Sequence, residues 1–98
     1  MLTKERERER VKQTPFIRLL KSYMLDHDLE GPTELNNFLL DEGVIDPGDG
    51  KGHYGAIHSY LAGNHVPQAW FVRAVLDTLP ETEEQANELM RAYFESYG

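Results

Sequence analysis

The stretch "HYGAIHSYLAGNHVP", His53 to Pro67, decides how this chain is read. Ala56, Ile57, Tyr60 and Leu61 fall on one side of a helical period, and His53, Tyr54, Gly55 and His58 fall on the other. The spacing predicts a helix over about 53–62, with its aliphatic side plugged into a core and its polar side facing outward. Gly63 stands where a helix turns out of its last turn, and Pro67 opens the next element.

Helical signals continue on both sides of that segment. Upstream, "TPFIRLLKSYMLDHD" begins with Thr14 as an N-cap and Pro15 at the first helical position. Phe16, Ile17, Leu19, Leu20, Tyr23 and Met24 supply its apolar face, and the helix is expected to stop near Asp28. "GPTELNNFLLDEG" predicts a second helix with Leu35, Phe38 and Leu39 inward, ended by Gly43. The glycine- and proline-rich "VIDPGDGKG" is a loop, anchored by Val44 and Ile45.

Downstream, "PQAWFVRAVLDTLP" predicts a fourth helix built on Trp70, Phe71, Ala74, Val75 and Leu76, stopped by Pro80. "ETEEQANELMRAYFESYG" predicts a fifth, with Thr82 and Gln85 at capping-box spacing. Its wide apolar band holds Ala86, Leu89, Met90, Tyr93, Phe94 and Tyr97. No hairpin signal and no repeat interrupts the pattern, so the fold class is all-α: a single five-helix domain over 14–98. The charged "KERERERV" (Lys4 to Val11) gives no apolar stripe, and residues 1–13 read as a charged arm or frayed helix.

Composition bounds the rest. A chain of 98 residues, 40 % apolar and 28 % charged, suits one globular domain. Without cysteine it holds neither a disulfide nor a thiolate metal site. No apolar run reaches the roughly 18 residues that a membrane span needs. The charged N-terminal stretch lacks the apolar core of a signal peptide, so a cytoplasmic protein is expected.

The formal net charge of -7 is unevenly spread. Residues 1–21 carry seven bases and three acids, and 22–50 carry eight acids with no Lys or Arg. Residues 51–73 carry Lys51 and Arg73 with no acid, and 74–98 carry six acids and Arg91. The quoted stretch therefore lies in a weakly positive zone between two negative ones. For a polyanionic partner the charge at the docking face counts for more than the total.

From Phe16 to Leu79 the order of features resembles the lambda-repressor-like, Cro-type helix-turn-helix DNA-binding domain. "PTEL" opens the second helix, "AIHSYLAGNHVP" matches the recognition helix with its exit, and "WFVRAVLDTLP" matches the core helix that follows. The resemblance implies a recognition helix held by Ile57 and Leu61, with Gly63 turning the chain away. It departs from the family at "DEGVIDPGDGKG", where the usual turn of three or four residues is much longer. An extended turn of this kind is also similar to that of some actinobacterial nucleoid-associated and regulatory relatives.

The resemblance implies double-stranded DNA as partner and a bacterial or phage transcriptional regulator or repressor, nucleoid-associated in the cytoplasm. His53, Tyr54, Gly55, His58 and Ser59 are then the candidates for base contacts, and Thr33, Lys51, Asn64 and His65 for phosphate contacts. Imidazoles donate to guanine or phosphate, a phenol meets a thymine methyl, and a glycine lets backbone approach closely. Arg18 and Lys21 are candidates to flank the backbone. Two copies supply two half-sites, so a homodimer is expected through the C-terminal helix at Leu89, Tyr93, Phe94 and Tyr97.

The alternative is a helix-turn-helix scaffold turned to protein binding or DNA mimicry through its acidic surfaces. Catalysis and metal binding are not expected, and no cofactor is implied. His53 and His58 are five apart, poorly aligned for joint ligation, and no H-E-x-x-H, nucleophile elbow or phosphate-cradling loop occurs.

Overall fold

In a computed structural model of the chain, residues 13–48 and 52–98 are described. The charged arm therefore lies outside the described residues except for Gln13, and Lys51 lies outside them too. The described residues form five α-helices and no strand: α1 (Pro15–Asp26), α2 (Pro32–Asp41), α3 (Tyr54–Leu61), α4 (Ala69–Thr78) and α5 (Glu83–Tyr97). Among them, no helix is long and apolar enough to cross a membrane.

Local chemistry sets the helix ends. Thr14 caps α1 by accepting the Ile17 N–H, with Pro15 in the first turn. A second N–H of that turn, from Phe16, is donated across the fold to Ser96 Oγ at 2.9 Å. Thr82 caps α5 by accepting the Gln85 N–H, while the Gln85 side chain accepts the N–H of Glu81. The reciprocal bond of the expected capping box thus reaches one residue further back than Thr82.

Three helices end in the same way, with paired backbone bonds that turn the chain through a left-handed residue. In α1 the N–H groups of Asp28 and Leu29 bond to the carbonyls of Leu25 and Met24. In α2 Gly43 and Val44 bond to Leu40 and Leu39, and in α3 Gly63 and Asn64 bond to Tyr60 and Ser59. Gly63 takes φ +80, as its place in the sequence predicts, but the α1 turn puts Asp28 at φ +60.

The core is one cluster in which Phe16, Leu20, Leu35, Leu39, Ile57, Phe71, Val75, Leu79 and Leu89 are almost wholly buried. Helix α1 packs along α5, and α2 packs against α3. On the first seam Phe16 meets the rings of Tyr93 and Tyr97 edge-on, at 5.3 and 6.1 Å between centroids. The Tyr97 hydroxyl shares a hydrogen bond with Thr14 at 2.9 Å. Tyr23 donates to the Gln85 carbonyl and to Glu88. Val72 and Ala92 join the core beyond the residues that the periodicity singles out, and Ile45 is buried as the expected loop anchor.

The aromatic band of α5 is divided differently from the sequence expectation. Leu89 is fully buried, and Tyr93 and Tyr97 are half-buried on α1, so these three serve the chain's own packing. Only Phe94 of the four residues expected at a dimer surface is exposed.

Two outcomes follow from this packing. Aspartate in the left-handed region costs backbone energy that glycine avoids, and its charge sits at the negative end of α1. Asp28→Gly is expected to stabilise the domain by roughly 0.5–1 kcal/mol, raising Tm by about 4–8 °C per kcal/mol; a calorimetric melt checks it.

Burial, aided by Glu88, raises the Tyr23 phenol above its ordinary value of 10.0. Burial also raises Tyr97, with the Thr14 bond opposing. Both groups hold their protons more tightly when folded, so the stability they confer is complete below pH 10.0 and lost as pH rises through the folded values. Tm is expected to fall with pH in that range, and Tyr23→Phe to flatten the fall.

Candidate functional site

Helix α3 is eight residues long and is held from beneath. Ile57, Tyr60 and Leu61 are buried, and Tyr60 packs against Phe71 and Trp70. The opposite face presents Tyr54, Gly55 and His58, all exposed. Tyr54 and His58, one turn apart, bring their rings to 5.9 Å.

A β-carbon placed on Gly55 meets nothing within 4 Å, so this surface is open. The N-cap of α3 is His53, whose side chain makes no capping bond. The first-turn N–H groups of α3, including those of the exposed Tyr54 and Gly55, are therefore left without a side-chain cap.

Two residues expected on the outward face are placed elsewhere. The His53 ring packs against Trp70, tilted by 40° at 4.6 Å between centroids, and is half-buried. Its backbone at φ -127, ψ 45 is not helical, so the ring departs from the helical projection that groups it with His58. Ser59 is half-buried, with its hydroxyl on Nδ1 of His65. His65 and Asn64 are exposed in the turn that leaves α3, and Thr33 is exposed in the first turn of α2. Arg18 and Lys21 both turn toward Gln13, through its carbonyl and its side-chain oxygen.

The residue that positions this face was not among the sequence candidates. Asn36, on the inner side of α2, is 4 % exposed, and its Oδ1 accepts the His53 N–H at 2.9 Å. Gly52, at φ +74, passes directly over it: a β-carbon there would lie 2.5 Å from Asn36 Oδ1 and 3.0 Å from Leu40. The Gly52 N–H is held in turn by the Pro47 carbonyl. The long turn between α2 and α3 is thus pinned at its end by a buried amide, and only glycine fits the crossing. The available signal is a polar residue at an inward helical position, followed by a late glycine in the loop.

Seven carboxylates, Asp26, Asp28, Glu30, Glu34, Asp41, Glu42 and Asp46, are exposed along the end of α1, on α2 and at the start of the turn. From Gly52 to Val72 the sequence holds no carboxylate. The outward face of α3 therefore carries none of its own. Among the described residues no group of three His, Asp or Glu side chains is arranged to hold a metal ion.

Gly52→Ala is expected to destabilise the domain by about 2 kcal/mol or more, since the methyl group is both sterically blocked and in the left-handed region. Asn36→Ala is expected to cost about 1–3 kcal/mol by leaving the His53 N–H unpaired. Denaturant titration of both variants measures these losses; wild-type stability in Gly52→Ala would show that the turn is not seated on Asn36.

No protein-family model, no curated protein and no solved structure matches this chain.

Proposed function

We propose that this chain is a DNA-binding transcriptional regulator that sets α3 into the major groove of duplex DNA. The carrying observation is the outward face of α3: Tyr54, Gly55 and His58 are exposed side by side on a helix whose other face is locked into the core. Nothing in the packing requires glycine at position 55, because a β-carbon there meets open space. Glycine in a helix costs roughly 0.5–1 kcal/mol relative to alanine. A flat spot at the uncapped start of a helix suits close approach to a phosphate or base edge.

In this reading Tyr54, Gly55 and His58 meet the bases. Thr33, Asn64 and His65, exposed at the start of α2 and beyond α3, lie at the backbone. His53 serves from behind, through its ring contact with Trp70 and the bond from its N–H to Asn36. With few cations at the face, affinity comes mainly from direct contacts, and the salt dependence is shallow.

A second reading draws on the exposed carboxylates from Asp26 to Asp46: a module that binds a basic protein partner, or mimics DNA. The two readings part in one experiment.

Duplexes are selected from random-sequence DNA and their affinity is measured by fluorescence anisotropy at about 50 and about 200 mM salt. A DNA reader enriches a defined sequence and weakens with salt along a log–log slope of roughly -2 to -4. Tyr54→Ala with His58→Ala weakens binding at least about tenfold, while the melting temperature is unchanged. Failure to enrich any duplex, or full affinity in the double variant, overturns the assignment.

A further inference from the structure

A cleft of about 300 Å³ opens between α4 and α5. On the α4 side Val72 and Leu76 line it, and on the α5 side Met90, Tyr93 and Phe94 do. Val72 belongs to the core, whereas Met90 and Phe94 stand 38 % and 61 % exposed at the surface. Two charged side chains, Arg73 and Asp77, share the α4 wall. Both are exposed, and neither forms a hydrogen bond or ion pair with any described residue. They follow one another by a helical turn, about 6 Å along the axis.

We propose that this cleft binds a free α-amino acid with a bulky apolar side chain. Its carboxylate meets Arg73, its ammonium group meets Asp77, and its side chain lies among Leu76, Met90 and Phe94. The lining is mostly apolar with a few polar groups, and its volume stands at the lower end of the roughly 300–1,000 Å³ of small-ligand sites. Only a small molecule suits it.

The charges narrow the class. An apolar acid satisfies Arg73 and is repelled by Asp77, and an apolar amine does the reverse. A residue inside a peptide carries neither charge on its backbone. A free amino acid carries both on one carbon, next to its apolar body. The guanidinium fork of Arg73 matches a carboxylate with two parallel bonds.

The cleft is also joined to the exit of α3. Tyr93 lines it, and the Tyr93 hydroxyl donates to the Pro67 carbonyl. The inference does not rest on the DNA reading, because it is tested on the chain without DNA.

The whole chain, labelled with nitrogen-15, is titrated with L-leucine, L-phenylalanine and L-tryptophan and followed by amide shifts. At least one of the three is expected to bind saturably with Kd below about 1 mM, and the shifts to centre on α4 and α5. Phenethylamine, which lacks the carboxylate, and 3-phenylpropionate, which lacks the ammonium group, are expected to bind at least about tenfold more weakly than phenylalanine.

Arg73→Gln is expected to abolish the preference for phenylalanine over phenethylamine, and Asp77→Asn the preference over 3-phenylpropionate. Both variants keep the parent melting temperature, since the side chains they replace are exposed. Absence of saturable binding by all three amino acids, or shifts centred away from α4 and α5, overturns the site. Equal binding of phenylalanine and its two analogues, or preferences unchanged in the variants, overturns the assignment of the ligand class to Arg73 and Asp77.

Discussion

The carboxamide of Asn36 lies beneath the end of the turn between α2 and α3, and the aim of α3 depends on it. A chain as long as the one from Gly43 to His53 closes at little more entropic cost than a short turn, and by itself it leaves the second helix free to rotate. Here it is held at two places. Ile45, 8 % exposed, is set into the core near its start. At its end, Asn36 Oδ1 accepts the His53 N–H at 2.9 Å, while Gly52 packs against the same oxygen. A buried amide with its partners in place fixes a geometry more narrowly than apolar packing alone, because each displacement exposes an unsatisfied group. The long turn therefore does what a short one does elsewhere, by a side-chain clamp in place of covalent brevity.

The five helices and most of the core were legible because each rests on local rules: period, cap and stop. Thr14, Thr82 and Gly63 act where those rules place them. What was not legible depends on partners far along the chain. Asn36 reads as one of two asparagines in an apolar helix until its partner, 17 residues on, is brought above it by the loop. His53 projects with His58 only if it is helical, and as an N-cap it is not. The band on α5 is apolar around much of its circumference, and periodicity alone does not tell the side that meets α1 from the side that meets nothing. The tyrosine hydroxyls settle it: Tyr93 and Tyr97 find Pro67 and Thr14, which turns Met90 and Phe94 outward. The exposure of Tyr54, Gly55 and His58 was accordingly legible, whereas the half-buried placement of His53 and Ser59 was not.

Charge explains how an acidic chain can suit a polyanion. The carboxylates from Asp26 to Asp46 are exposed along the end of α1, on α2 and in the turn, whereas the sequence from Gly52 to Val72 has none. One of them, Glu30, lines a groove together with Lys21 and His58, where repulsion of a polyanion is screened by salt over about 10 Å. A face without carboxylates of its own is then governed by its hydrogen-bond donors, and indiscriminate attraction is weak. For the proposed reader this favours discrimination over affinity: wrong sequences gain little from the phosphates, and the right one is held by contacts at Tyr54 and His58.

The faces of α3 and α5 are carried by different seams, α2 with α3 and α1 with α5, but one bond runs between them. Pro67 follows the turn that leaves α3, and its carbonyl receives the Tyr93 hydroxyl of α5 at 3.1 Å. Tyr93 also stands edge-on to Phe16. A linkage of one aromatic side chain, half-buried at its ring and bonded at its hydroxyl, ties the exit of α3 to α5. A purely apolar contact at the same position would keep α5 in place and leave the turn after α3 free to shift along it.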